Sequence, residues 1–221
     1  VAIYVLAGVN GAGKSSLGGA MFRARNADYY NPDETARKIL AIHHHLDLTA
    51  ANAHAWEMGR ALLEKAIAQN LDFAFETTLG GKTITSMLVS AAASGTEIRV
   101  WYAGLANVEL HLTRVRSRVR RGGHDIPEAD IRRRWNASRE NLIRLLPHLA
   151  ELRMFDNSRE GDPARGAPPA PTLVLEMVAG KIIGPKNLDR TPEWAKPVVA
   201  AALRDCLKTP ESRVENGKDR K

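Results

Sequence analysis

The residues best equipped for chemistry lie near the start of the chain, in Gly8-Val9-Asn10-Gly11-Ala12-Gly13-Lys14-Ser15. They match G-x-x-x-x-G-K-[ST] at every fixed position. Glycines let a backbone turn tightly and bring its N–H groups onto phosphate oxygens. A helix opening just after the turn adds the positive end of its dipole. In such a loop the lysine neutralises the β- and γ-phosphates of a nucleoside triphosphate, and the serine hydroxyl holds Mg²⁺. The expected ligands are therefore ATP and Mg²⁺. The expected contacts are Gly8, Asn10, Gly11, Ala12, Gly13, Lys14, Ser15 and Ser16.

Other candidates are spread further along. Glu76 ends the apolar run LDFAFE and is followed by Thr77 and Thr78. An acidic residue at the end of an apolar strand is the expected place for a Mg²⁺-linked carboxylate, so Ser15 and Glu76 form the candidate metal set. The alternative is an ordinary exposed strand end. The stretch from Arg114 to Arg144 concentrates the basic residues, interrupted by Gly122-Gly123-His124. A glycine turn between two basic helices reads as a small lid, spanning about 114–135, whose closure excludes water and favours transfer over hydrolysis. His124 either donates to a phosphate or caps a helix end.

These residues need elements to position them. Val1 to Ala7 is apolar nearly throughout, as a central parallel strand requires. A short second strand is expected at Asp28–Tyr30, a third at Leu71–Glu76, a fourth at Glu97–Leu105 and a fifth at Leu152–Asp156. Helices are expected from about Lys14, from Asp33, over Ala50–Gln69, over Thr83–Ser94 and over Asn107–Arg121. Val108, Leu112, Val115 and Val119 line one face of the last of these. A second basic helix carries Ile131, Trp135, Ser138, Leu142 and Leu145 on one stripe. Short apolar strands alternating with helices imply a three-layer α/β fold with a mostly parallel sheet. Arg159–Thr172 is rich in Pro, Gly and Ala and reads as a linker or long loop. Leu173–Ile183 supplies one more strand or a hairpin. The expected division is one domain over 1–190, followed by a C-terminal helix (Pro192–Leu207) and polar tail over 191–221.

Composition narrows the class. The chain has 221 residues, enough for one sizeable α/β domain, and 44% are hydrophobic, which is the globular range. The formal charge of +7 calls for polyanionic partners, either nucleic acid or substrates carrying several phosphates. The single cysteine, Cys206, excludes an intrachain disulfide and a cysteine-based zinc site. No apolar run reaches bilayer-spanning length. The opening residues read as a strand and not as a leader, so the expected location is cytoplasmic, with no membrane partner. His43-His44-His45 makes a poor chelating face, because consecutive helical residues point apart. Trp56, Trp101 and Trp135 read as core or substrate-wall residues.

The segments GVNGAGKSS, YYNPDETAR, FAFETTLGG, WYAGL, RVRSRVRRGGHDIPEADIRRRW and FDNS, in that order over roughly Val1 to Ser158, resemble the zeta toxin family of P-loop kinases. More narrowly, they resemble its chromosomal zeta-like members. The phosphate loop is common to many families, whereas GGHDIP between arginines is more specific. The resemblance implies a P-loop NTPase of the nucleotide-kinase type with a small helical lid. It also implies an ATP-dependent kinase acting on the sugar 3′-hydroxyl of UDP-N-acetylglucosamine. Asp33 then stands where the family carries its catalytic base; the alternative is that it caps the next helix. Asn31 would help position the substrate, and Glu76, Thr77 and Thr78 would contact the acceptor or the metal's water shell. Arg118 and Arg134 would be the two phosphate-contacting arginines, with Arg121 and Arg133 as alternates. Arg114 and Arg121 lie nearly opposite the apolar seam and read as solvated. Asp156-Asn157 turns the chain near the nucleotide base. A protein antitoxin is implied as a partner.

Two other classes compete. A transporter-type ATPase needs an LSGGQ-like signature and an apolar strand ending Asp-Glu, and neither occurs. A nucleic-acid-binding P-loop ATPase, or a polynucleotide kinase, would use the arginine-rich helices on a phosphate backbone and would bind with steep salt dependence.

Overall fold

A computed structural model describes residues 1–15, 17–18, 29–123, 125–159 and 170–207. The predicted contacts Ser16 and His124 lie outside the described residues. Among the described residues the centre is a six-stranded sheet: β1 (Ala2–Ala7), β2 (Phe73–Thr77), β3 (Glu97–Gly104), β4 (Glu151–Asp156), β5 (Thr172–Val178) and β6 (Lys181–Gly184). Its order is β2-β1-β3-β4-β5-β6. The first four strands run parallel, and β5 and β6 add antiparallel on one edge.

The central strands are buried on both faces. Ile3, Val5 and Leu6 of β1 are fully covered, as are Ile98 and Val100 of β3 and Leu152 and Met154 of β4. This is why they read as apolar runs without alternation. The 173–183 region is a hairpin, turned by Ala179 and Gly180, both at positive φ. That is the backbone two-residue hairpin turns favour, because it matches strand twist. Of the expected second strand, Asp28–Tyr30, only the last two residues are described. Asp28 lies outside the described residues, and Tyr30 makes an isolated parallel bridge to Phe75 at the outer edge of β2.

Helices cover the sheet. They are α1 (Pro32–Ile42), α2 (Leu48–Ala68), α3 (Lys82–Ala93), α4 (Val108–Arg120), α5 (Glu128–Leu145) and α6 (Lys196–Leu207). Helical spacing in α4 and α5 puts apolar residues on single faces. Leu112, Val115 and Ile131 are buried together with Ile126 and Val9, while Val108 and Val119 pack on their rim. Burying each such side chain contributes about 1.5–3 kcal/mol. Ser138, on the α5 stripe, is buried because its Oγ shares a 2.9 Å hydrogen bond with the Tyr102 hydroxyl. Trp194, Val198, Val199, Ala201 and Ala202 belong to the same core as β1, β3 and β4. Trp56 is not a core residue: it is 42% exposed on α2.

No described helix is long and apolar enough to cross a membrane.

Candidate active site

The parallel strands β1, β2, β3 and β4 end on one edge of the sheet, with Ala7 level with Thr77 on one side and with Tyr102 on the other. β1 lies between β2 and β3, so neighbouring connections diverge there and leave a crevice, the usual ligand position in such sheets. The Gly8–Ser15 loop enters that crevice, and helical backbone begins at Lys14. Gly8, Gly11 and Gly13 all have positive φ. A Cβ on Gly8 would meet the Ala103 carbonyl oxygen at 2.3 Å, and one on Gly13 would meet Asn157 Nδ2 at 2.2 Å. The glycines therefore answer both a backbone requirement and a lack of room.

The loop is held from outside by buried donors. Asn157 Nδ2 donates to the Ala12 carbonyl at 2.9 Å. The His111 ring bonds the Asn10 carbonyl through Nδ1 at 2.8 Å. His111 is buried, and burial pushes its pKa down to about 4, opposed by the bond to Asn10 and assisted by the cations Lys14, Arg114 and Arg139. The neutral ring therefore carries its proton on Nδ1, since a carbonyl only accepts.

A cleft of about 1020 Å³ opens from the loop toward α4 and the Gly122-Gly123 turn that follows it. Asn10, Gly11, Gly13, Lys14 and Ser15 line it at one end, with Asn31, Asp33 and Glu76 beside them and Arg118 of α4 across from them. Gly8 and Ala12 shape the loop from beneath. Lys14 is 7% exposed and its Nζ stands 3.4 Å from Glu76 Oε1 and 3.5 Å from the Val9 carbonyl. Glu76 Oε2 accepts from Asn31 Nδ2 at 3.3 Å. Asp33 Oδ2 lies 3.6 Å from Arg118 Nη1.

The helix cap before Asp33 is Asn31, so Asp33 itself does not cap α1. Asn31 is the N-cap of α1, its Oδ1 accepting from the backbone N–H groups of Asp33 and Glu34. Asp33 is thus within the first turn, and its carboxylate lines the cleft. Thr77 and Thr78 are not among the cleft's lining residues. Their hydroxyls accept from the Leu79 and Gly80 N–H groups and shape the turn after β2. Arg134 also stands off the cleft; its Nη1 donates to Asn10 Oδ1 at 2.9 Å, and its Nη2 is 3.7 Å from Asp130. Burial lowers its pKa, partly offset by Asp130. Arg133 pairs with Asp130 on the exposed face of α5. Asp156 holds the turn after β4, accepting from the Ser158 N–H at 3.1 Å.

Several cleft residues were not singled out beforehand. Glu34, Arg37, Arg114 and Arg120 line it; so does Arg121, one of the two alternates for phosphate contact. Arg114 and Arg121 read as solvated; they border the cleft because its wall is the face of α4 away from the apolar seam. Arg37 was findable, since it follows Asp33 by four residues on one helix and so shares its face. His111 gave no signal, because its partner is 101 residues away. The lining carries six cationic side chains (Lys14, Arg37, Arg114, Arg118, Arg120, Arg121) against three carboxylates (Asp33, Glu34, Glu76). Such an excess suits a polyanion. No group of three His, Cys, Asp or Glu side chains fit to hold a metal ion occurs among the described residues.

Comparison with known proteins bears on the family and the fold. The zeta toxin family model matches residues 2–160. An uncharacterized protein of Haemophilus influenzae is 32% identical over 132 residues, covering 58% of this chain and 88% of its own. The crystal structure of AvrRxo1-ORF1:AvrRxo1-ORF2 with sulphate ions aligns with a TM-score of 0.64 at 13% identity, over 91% of this chain. This chain spans only 63% of that one. The structure of PezAT, a chromosomal toxin–antitoxin system of Streptococcus pneumoniae, aligns with a TM-score of 0.54 at 13% identity, over 94% of this chain and 87% of that one. At such identities the structures speak for the fold alone, a P-loop α/β sheet with helices around it. The match over 2–160 shows the family: the chain belongs to the zeta toxin family of P-loop kinases.

Proposed function

We propose that this protein is an ATP-dependent phosphotransferase that moves the γ-phosphoryl group of ATP onto an alcohol of a nucleotide sugar, with UDP-N-acetylglucosamine as the leading acceptor. The observation that carries the reading is that Lys14 of the phosphate loop and the carboxylate of Asp33 line one cleft. At about 1020 Å³ that cleft exceeds the needs of a single small ligand. Its cationic excess favours an acceptor that itself bears phosphates, which a nucleotide sugar does and a plain sugar does not. A chain of the AvrRxo1-ORF1:-ORF2 complex was solved with ATP, and we extend ATP to this chain as the donor.

In this reading the loop's N–H groups and Lys14 hold the β- and γ-phosphates. Asp33 accepts the proton of the attacking hydroxyl. The acceptor oxygen forms a bond to the γ-phosphorus as the bond to the β–γ bridging oxygen breaks, and ADP leaves with that electron pair. Arg118, already beside Asp33, would neutralise charge on the transferring group. Mg²⁺ fits the donors present: Ser15 and Glu76 offer hard oxygens, and this ion takes few protein ligands when phosphates and waters complete its shell. Bound there, it would screen the phosphate charge. Because two of the similar structures are described as toxin–antitoxin or two-component complexes, a protein antitoxin is the proposed partner.

The test is to incubate the protein with ATP-Mg²⁺ and a panel of nucleotide sugars, nucleosides and oligonucleotides, and to look for a phosphorylated product by phosphorus NMR and mass spectrometry. UDP-N-acetylglucosamine should gain one phosphate. Asp33→Asn should abolish transfer while ATP affinity stays nearly unchanged. Full activity in that variant would remove Asp33 from its role.

A further inference from the structure

Asn10 stands at a position that G-x-x-x-x-G-K-S leaves open, yet both lid helices meet on it. Its carbonyl accepts from His111 Nδ1 of α4 at 2.8 Å, and its side-chain Oδ1 accepts from Arg134 Nη1 of α5 at 2.9 Å. Two further observations put the same helices against the loop. Val9 is buried in one cluster with Leu112, Val115, Ile126 and Ile131. A Cβ on Gly11 would come within 2.8 Å of the His111 carbonyl oxygen. Gly80 has no Cβ where one would lie 2.7 Å from Arg134 Cγ, which leaves room for the arginine stem.

The geometry has a consequence for phosphate binding. In a trans peptide the C=O and the following N–H point to opposite sides. Pinning the Asn10 carbonyl toward α4 turns the Gly11 N–H the other way, and Gly11 lines the cleft. Loops that bind phosphate do so with such inward N–H groups.

We propose that Asn10 is a positioning residue through which His111 and Arg134 hold the phosphate loop in its binding shape, so that Arg134 acts on the nucleotide through Asn10 and not by touching it. This rests on the reading of the loop as a nucleotide site. It differs from the expectation that Arg134 contacts phosphate directly. Loop and lid then form one unit: whatever displaces α4 or α5 also loosens the grip on the triphosphate.

The experiment is titration of the Mg²⁺ complex of a non-hydrolysable ATP analogue with a β,γ-imido bridge into the full chain, followed by calorimetry. The variants are Asn10→Ala, Arg134→Ala, their double variant, and His111→Leu beside His111→Asn. Removing a hydrogen bond to a charged group is expected to weaken binding about tenfold in each of the two alanine variants. The double variant should be no weaker than the worse single one, because both changes cut the same link. His111→Asn keeps an N–H donor near Nδ1 and should bind within about twofold of the parent, with His111→Leu clearly weaker. Losses that multiply to about a hundredfold in the double variant would show Arg134 reaching the nucleotide independently and would overturn the proposal. So would parent-like binding by Asn10→Ala, or failure of the parent to bind the analogue. Binding by the parent without transfer to any alcohol would sink the phosphotransferase reading and leave this one standing.

Discussion

Lys14 and Glu76 form a pair that neither would tolerate alone. Both are below 10% exposed, and their charged atoms are 3.4 Å apart. Removing one charge from a buried pair leaves the other uncompensated, which is more damaging than the pair is stabilising. Glu76→Gln should therefore lower stability by about 3–5 kcal/mol without nucleotide. A bound triphosphate brings negative charge to the same ammonium, so ATP should raise the melting temperature of the variant more than that of the parent. Melting curves with and without ATP decide this; equal shifts would contradict it. His111 makes a second prediction at this scale. Its pKa falls from 6.5 to about 4 in the folded protein, chiefly through burial. Between those values the unfolded chain binds the extra proton, so the contribution is complete above about pH 6.5 and is lost as pH drops toward 4. The slope is about 1.4 kcal/mol per pH unit and the total about 3 kcal/mol. Denaturant unfolding across this window should show that loss in the parent and a flatter profile in His111→Asn. The motif residues were legible because a phosphate loop is written in consecutive positions. His111 and Asn157 were not, because each acts on that loop from 101 or 145 residues away, and no local pattern records such a meeting.

Helices and strands were readable where one face is apolar. The seam Val108, Leu112, Val115 and Val119 of α4, and the stripe from Ile131 to Leu145 of α5, follow directly from 3.6-residue spacing. What spacing does not give is the role of the opposite face. Arg114 and Arg121 looked like solvated charges, and they border the cleft because it opens against that side of α4. Among the described residues the expected strand ending at Tyr30 shows one bridge, and the chain leaves the sheet at Asn31 to cap α1. That cap fixes where Asp33 stands. Asn31→Ala should cost about 1 kcal/mol of stability and should also lower transfer, whereas Asn31→Ser, a good cap that brings no second carboxylate to Glu76, should recover stability more than activity. Gly80 tests the lid from another element. Its backbone is not in the left-handed region, so Ala is acceptable there locally, but the new Cβ would press on the Arg134 stem. Gly80→Ala is expected to reduce analogue affinity about as much as Arg134→Ala does, with little change in melting temperature. Parent-like affinity would show that Arg134 adapts freely.

At the scale of the whole molecule, the C-terminal segment is tied to the sheet that carries the site. The Trp194 ring lies so close to Gly104, the last residue of β3, that a Cβ there would fall 2.2 Å from ring carbon Cη2. Trp194 also stacks near Tyr102, with ring centroids 6.2 Å apart, and its carbonyl accepts from Arg139 of α5 at 3.2 Å. Arg139 in turn lies over the Trp135 ring, 3.6 Å from its centroid. Trp194 therefore links the start of α6 to β3 through its ring and to α5 through its backbone carbonyl. Composition suggested a helix near the end of the chain. The dependence of the core on it was hidden, because Gly104 falls inside the expected strand Glu97–Leu105 and only the ring across from it shows why a glycine is needed. Trp194→Ala should destabilise the protein by about 3–5 kcal/mol, the usual cost of emptying a large aromatic site. Gly104→Ala should destabilise it as well, through overpacking of about 1–3 kcal/mol or more. If contact with the ring is the reason, the two effects are not additive: in a Trp194→Leu background, where the crowding ring carbons are gone, Gly104→Ala should cost less than half of what it costs in the parent. Urea unfolding of the four proteins measures that coupling. Additive losses would mean that Gly104 is required by its own backbone, and that α6 is held to the sheet by other contacts.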